Sequence, residues 1–253
     1  MCGLQEGCGF STTGERTQVY RLEPSKHGDV CLAGTGEMPL AGYFANSLLS
    51  LDELPQKVMT VSRCFRAETS SVEEERGIYR VHQFTKVEMF VVTANETGHE
   101  SDDLVEELRS IERDLFTSLG VHFRVLDMPS QELGAPACRK YDMETWMPAK
   151  QFWGEISSTS NCSDFQSRRL NIKYTRTDGQ VKHAHTVNGT ACAVPRMLMT
   201  LLENGQNEDG SIRVPPALQP YMNGMTVIEK PDQPLILRWN KLTNTTRRQA
   251  KQS

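Results

Sequence analysis

Arg63-Cys64-Phe65-Arg66-Ala67-Glu68 and Tyr79-Arg80-Val81-His82-Gln83-Phe84-Thr85-Lys86-Val87-Glu88-Met89-Phe90 read as two strands on either side of an acidic loop containing Glu73-Glu74-Glu75-Arg76. Period-two alternation puts Thr60, Ser62, Cys64, Arg66 and Glu68 on one face and Met59, Val61, Arg63, Phe65 and Ala67 on the other. In the return strand Lys86 and Glu88 share a face with Phe84 and Phe90, while Thr85, Val87, Met89 and Val91 point the opposite way. Antiparallel sheets commonly face water on one side, so the plainest expectation is a hairpin with a solvated charged face. The same hairpin can line a site with Arg66, Glu68 and Glu88.

At 253 residues the chain is long enough for one large domain or two small ones. A net charge of -4 announces no nucleic-acid partner, although a local patch could still supply contacts. Arg168-Arg169 and the terminal Arg247, Arg248 and Lys251 are its basic clusters, as suited to solvated surface as to phosphate. Seven cysteines, with no Cys-x-x-Cys pair, read as free thiols in a reducing compartment. No run is long enough to span a membrane, and the first residues open neither a signal peptide nor an Arg-rich transit peptide.

Outward from the hairpin, residues 1–30 read as a loop or ragged leading segment, rich in Gly, Thr and charge. Cys31 to Leu40 reads as a short strand breaking into a turn at Gly34-Thr35-Gly36-Glu37, with a helix over 41–51. Thr35 and Glu37 offer a hydroxyl and a carboxylate that suit an ammonium group, or an ordinary turn with a helix cap. The clearest helix is 101–119: Ser101 as N-cap, Asp102 and Asp103 in the first turn, Gly120 as stop, and Leu104, Leu108, Ile111, Leu115 and Leu119 as one buried stripe. A strand over 121–126 and a loop with a helical turn through Lys140 follow. Strands at 170–174 and 180–186 flank the turn Thr177-Asp178-Gly179, and His183 and His185 there take an ordinary sheet-face role rather than a metal.

Phe65-Arg66-x-Glu68 with Arg80-Val81-His82-Gln83-Phe84-x-Lys86-Val87-Glu88 resembles motif 2 of class II aminoacyl-tRNA synthetases, in the wording of the seryl-tRNA synthetases. Glu155-Ile156-Ser157-Ser158-x-Ser160-Asn161-Cys162-x-Asp164-Phe165-Gln166-x-Arg168-Arg169 is similar to a second stretch of that family, and Asn188-Gly189-Thr190 through Pro195-Arg196 resembles motif 3. Val214-Pro215-Pro216-Ala217-Leu218-x-Pro220-Tyr221 resembles its closing signature. Pro195 stands where the family usually has Gly, which predicts a kink or a helix that starts close to it.

The resemblance implies an α+β fold, the class II synthetase catalytic domain, with a mainly antiparallel sheet flanked by helices. It divides the chain into a leading segment 1–30, a catalytic core 31–222 and a poorly ordered tail 223–253. It implies activation of L-serine by ATP to seryl-adenylate and transfer to tRNA(Ser). Thr35, Gly36, Glu37, Glu88, Asn188 and Thr190 would take serine; Arg66, Ala67, Glu68, Val81, Glu155, Ile156, Ser157, Ser158 and Arg196 would take ATP. Arg66, Glu68 and Arg196 would carry catalysis, and Glu155 with Ser158 would hold Mg2+ through oxygen ligands. A guanidinium fork on an anionic oxygen contributes roughly 1.5 to 3 kcal/mol per bond. Glu88 left unpaired without the substrate hydroxyl would select serine over alanine.

The wording Arg124-Val125-Leu126-Asp127-Met128-Pro129 and Asn161-Cys162-Ser163-Asp164 is closest to animal mitochondrial members, which implies a mitochondrial matrix location, with the cytoplasm as second choice and no membrane partner. Motif 1, which builds the family's homodimer, and the tRNA-gripping arm should precede Glu6. The expectation is therefore a fragment or short isoform with the adenylate site present and tRNA charging weakened. Two alternatives remain: a non-catalytic relative used as a binding partner, and an amino acid:carrier-protein ligase.

Overall fold

The computed structural model describes residues 2–14, 17–68 and 77–232. The acidic loop at 69–76, expected to be mobile, and the terminal basic cluster lie outside the described residues, as does most of the expected tail.

The chain opens with α1 (Cys2–Gly7), α2 (Pro24–His27) and α3 (Glu37–Phe44). Strand β1 (Leu48–Ser50) leads to the hairpin β2 (Gln56–Phe65) and β3 (Gln83–Thr93). The long helix α4 (Glu100–Ser118) precedes β4 (Phe123–Asp127), β5 (Arg139–Met147) and β6 (Phe152–Asn161). After α5 (Phe165–Leu170) come β7 (Lys173–Thr175), β8 (Val181–His183) and β9 (His185–Ala193), which runs directly into α6 (Val194–Asn204). β10 (Ile212–Arg213) and β11 (Val227–Ile228) close the described chain.

Six strands form one antiparallel sheet in the order β2-β3-β9-β6-β5-β4. On one face α4 and α6 cover Met89, Val91, Met143, Met147, Val187 and Ala191. On the other, α3, α5 and the small sheet β1-β7-β8 pack around Phe90, Val92, Met38, Phe44, Ile172 and Tyr174. The expected α+β architecture is what the chain adopts.

Two bulges interrupt the alternation. In β6 the register passes from Met143↔Ser157 to Glu144↔Glu155 and skips Ile156; in β9 it passes from Val87↔Cys192 to Glu88↔Thr190 and skips Ala191. Each extra residue puts two neighbours on the helix-covered side and returns the next to the open side. Glu155 and Ser158, three apart, thereby share a face. The β6–β9 ladder has three rungs, Thr159↔Gly189 to Asn161↔Val187, and ends short of both bulges.

Several expectations are corrected. In β2 the apolar side chains Met59 and Val61 are 65% and 68% exposed, whereas Ser62 is half-buried and Cys64 buried. The polar face is the covered one because the segment before α3 lies on it: Phe65 N donates to the Ala33 carbonyl (2.8 Å), and a Cβ on Gly36 would meet Glu88 and Ser62 at 2.7 and 2.9 Å. Residues 2–8 are no ragged loop; α1 buries Cys2, Gln5 and Gly7, and Gln5 donates to the Leu32 carbonyl (2.7 Å). Cys2 and Cys31 are joined in a disulfide, so not every thiol is free. The helix placed at 41–51 is instead Glu37–Phe44, ended at Ala45-Asn46, where Asn46 turns to positive φ, and followed by a strand.

The buried stripe of α4 is Leu104, Val105, Leu108, Glu112 and Phe116; Ile111 and Leu115 stand partly in water, because the sheet meets the helix one step around from the leucine row. Ser101 is not its cap. It lies inside the first turn, bonded to His185 and Asn161, while the Glu100 carboxylate accepts the amides of residues 96 to 99. The expected loop through Lys140 gives way to β5 from Arg139, and Leu170 ends a helix rather than starting a strand. Pro195 is the second residue of α6, where a missing N–H costs no helix bond. The helix buries Met197, Met199 and Thr200, with Leu198 half exposed and Leu201 and Leu202 only partly covered. Val227 and Ile228, expected in a disordered tail, pair with β10.

Candidate active site

On the open side of the sheet, two clefts adjoin and share Arg66, Lys86, Ser158 and Thr190. The first is walled by Glu68, Tyr79, Arg80, Val81, Phe84, Glu155, Ile156 and Arg196. The second is walled by Thr35, Glu37, Glu88, Ser160, Cys162 and Asn188. Ala67 and Gly36 line neither. Ala67 is bound through its backbone N–H to the Gln18 carbonyl (2.8 Å), and Gly36 stands behind the wall as the close-approach point against Glu88.

The second cleft sets two buried carboxylates, Glu37 and Glu88, against the cations Arg66, Lys86 and Lys140. Glu88, almost wholly buried, forms an ion pair with Lys86 and accepts from Thr35 Oγ1 at 3.3 Å. Lys86 Nζ also donates to Thr190 Oγ1 (3.3 Å). Glu88 is therefore partnered before any substrate arrives, contrary to the expectation that it stands unpaired. Glu37 is buried at the start of α3, with Gln166 Nε2 bonded to its Oε1 and Gln166 held in turn by Thr186 Oγ1 (2.7 Å). Burial first, and the Glu88 charge second, push the Glu37 carboxyl up to about 7, against the Gln166 bond and the Lys86 and Arg66 charges. A carboxyl so placed gains most when a cation enters.

The first cleft is polar and arginine-rich. Arg66 Nε donates to the Gly34 carbonyl (3.0 Å), and its guanidinium lies 5.4 Å from the centre of the Phe84 ring. Arg196 donates to the Glu155 carbonyl (2.9 Å) and the Tyr79 carbonyl (3.3 Å), lies 3.4 Å from Glu155 Oε2 and stacks 4.3 Å over the Tyr79 ring. Such a held, planar fork presents its remaining donors to an anion at little further entropic cost. Glu68 sits at the rim, 3.6 Å from Arg80. Ser158 faces the cleft, but the Ser157 hydroxyl is spent inside the sheet on the Thr190 carbonyl (2.6 Å).

Lys86, Gln166, Tyr79, Arg80 and Phe84 were not predicted as site residues. Lys86 and Phe84 share a strand face with Glu88, and all five stand in or beside the quoted family stretches; nothing in the sequence names Glu37, 129 residues away, as the partner of Gln166.

The sequence profile of the tRNA synthetase class II core domain (G, H, P, S and T) matches residues 20–205. The chain is 52% identical over 217 residues to the mitochondrial serine–tRNA ligase of Bos taurus, covering 86% of this chain and 42% of that protein. It is 49% identical over 218 residues to the serine–tRNA ligase of Treponema denticola, covering 85% of this chain and 50% of that one. Among solved structures, the seryl-tRNA synthetase from Pyrococcus horikoshii complexed with ATP matches with a TM-score of 0.82 at 39% identity, over 90% of this chain and 49% of that one. The chain thus spans about half the length of the relatives it matches. By its fold, its site and this profile, the chain belongs to the tRNA synthetase class II core domain family.

Proposed function

We propose that this chain carries the adenylate-forming core of a serine–tRNA ligase: it activates L-serine with ATP and passes the seryl group to the 3′ end of tRNA(Ser) in mitochondrial translation. The observation that carries the reading is the pair of adjoining clefts, one holding the buried carboxylates Glu37 and Glu88, the other arginine-lined, with Arg66 and Lys86 shared by both. Similarity to mitochondrial relatives supports the compartment.

Serine enters with its ammonium on Glu37 and Thr35 and its hydroxyl toward Glu88 and Thr190, with Asn188 beside it. Its carboxylate then points at Arg66. ATP lies in the first cleft, adenine framed by Glu68 and Val81, phosphates on Arg66 and Arg196. A carboxylate oxygen forms a bond to the α-phosphorus as the bond to the β-phosphate oxygen breaks, and pyrophosphate leaves. No proton moves, so the protein's part is alignment and charge neutralisation by fixed donors. In the second step a terminal tRNA hydroxyl attacks the acyl carbon, the bond from that carbon to the phosphate oxygen breaks, and AMP departs with the hydroxyl proton on its phosphate.

The residues present fit a divalent cation. Glu155 offers a partly exposed carboxylate in the cleft, Ser158 shares its face, and across the ladder from Ser158 the Asp142 Oδ1 is buried without a hydrogen-bond partner among the described residues. Glu155 and Ser158 would hold Mg2+, which supplies charge neutralisation on the phosphates when bound.

Serine-dependent exchange of pyrophosphate into ATP tests the reading. Exchange with serine and little with alanine is expected; no exchange with serine overturns it, and so would a biological role that survives Arg66→Ala unchanged.

A further inference from the structure

Glu112, in the middle of the face that α4 turns to the sheet, has no exposed surface. Thr159 Oγ1 donates to its Oε2 at 2.6 Å, and its Oε1 has no hydrogen-bond partner among the described residues. A carboxyl is a costly choice for a core position that only fills space, because an apolar side chain of that volume packs there without desolvating a polar group. Strand β9 lies directly on it: a Cβ added at Gly189 would stand 2.7 Å from Glu112 Oε1 and 3.2 Å from Thr159 Oγ1. Gly189 pairs with Thr159 on one side and Met89 on the other, and its neighbours in the chain are Asn188 and Thr190, both turned to the second cleft. The next rung toward the cleft is held by the bond from Ser157 to the Thr190 carbonyl.

We propose that Glu112 is a positioning residue for the amino-acid end of the site: through Thr159 and the close approach at Gly189, its carboxyl sets the height of β9 and so fixes where Asn188 and Thr190 stand opposite Glu88. Burial pushes this carboxyl up to about 8, against the bond from Thr159 and aided by the Glu88 and Asp142 charges, so it sits beneath the strand mostly uncharged at neutral pH. A neutral amide of the same shape should therefore do the same work.

The inference rests on the serine-activating reading, and the test separates the two. In pyrophosphate exchange by the full chain, Glu112→Leu and Thr159→Val should each raise the KM for serine about tenfold, the size of effect expected when a buried group loses its partner, while the KM for ATP stays within about twofold. Glu112→Gln should stay near the wild type. Thr159→Val breaks the same bond with little change in volume, so it decides the matter if Glu112→Leu does not fold. An unchanged serine KM in Thr159→Val, or serine and ATP KM values rising together, overturns the positioning role. A wild-type chain without serine-dependent exchange overturns the underlying reading instead.

Discussion

At the scale of single residues, the site is governed by buried charge. Glu37 must be ionised to hold an ammonium, yet burial and the Glu88 charge keep its carboxyl near 7. Below that pH the protonated form dominates, so kcat/KM for serine should rise with pH up to about 7 in the exchange assay, and Glu37→Gln should abolish that limb as well as most of the serine affinity. For stability the sign is the reverse. A carboxyl raised above its unfolded value favours the fold at low pH, and that contribution is lost as pH rises from about 4.5 through about 7. Lys86 is the other decisive charge. Lys86→Met strands Glu88 in a buried setting, and a urea melt should show a loss of roughly 3 to 5 kcal/mol, partly recovered in the double variant with Glu88→Gln. The sequence named Glu37 and Glu88 through motif resemblance. It did not announce Lys86, Gln166 or Glu112, because a charged residue reads the same whether it faces water or a partner a hundred residues away.

At the scale of elements, alternation and periodicity identified the faces of strands and helices but not which face turns inward. Thr60, Ser62 and Cys64 look like a solvated row, and Met59 with Val61 like a core row; the segment 33–38 closing over the former reverses that. In α4 the row Leu104, Leu108, Ile111 and Leu115 is legible, but Val105, Glu112 and Phe116 share the buried side, since the sheet determines the angle of docking. The start of that helix is held by Glu100, whose carboxylate gathers four preceding amides and is pulled down to about 2 by those bonds, burial opposing. Glu100→Ala should cost about 1 kcal/mol at pH 7, as loss of a cap does. The sign runs opposite to Glu37: the wild-type advantage is present above about 4.5 and fades as pH falls toward 2, measurable as converging urea midpoints.

At the scale of the whole molecule, the clefts lie where β6 and β9 part company. The two strands pair through only three rungs, and past them Arg196 reaches back from the first turn of α6 to bind the Glu155 and Tyr79 carbonyls. The bulges at Ile156 and Ala191 flank that opening. The number of residues in these strands is thus itself a functional quantity, since each extra residue sets the local bend and twist beside the opening. Removing Ile156 would leave a more regular ladder with Glu155 still on the cleft side, because Ile156 and Ser157 share the helix-covered side, but it would straighten the bend that the bulge puts in β6 beside the cleft. A deletion of that one residue should fold with an ordinary far-ultraviolet spectrum and lose pyrophosphate exchange, whereas Ile156→Val, which keeps the count, should retain it. Retained exchange in the deletion would mean that the bend the bulge puts beside the cleft is not needed. For this chain, length changes of a single residue in β6 and β9 should be tolerated far less than changes of residue type at the same positions.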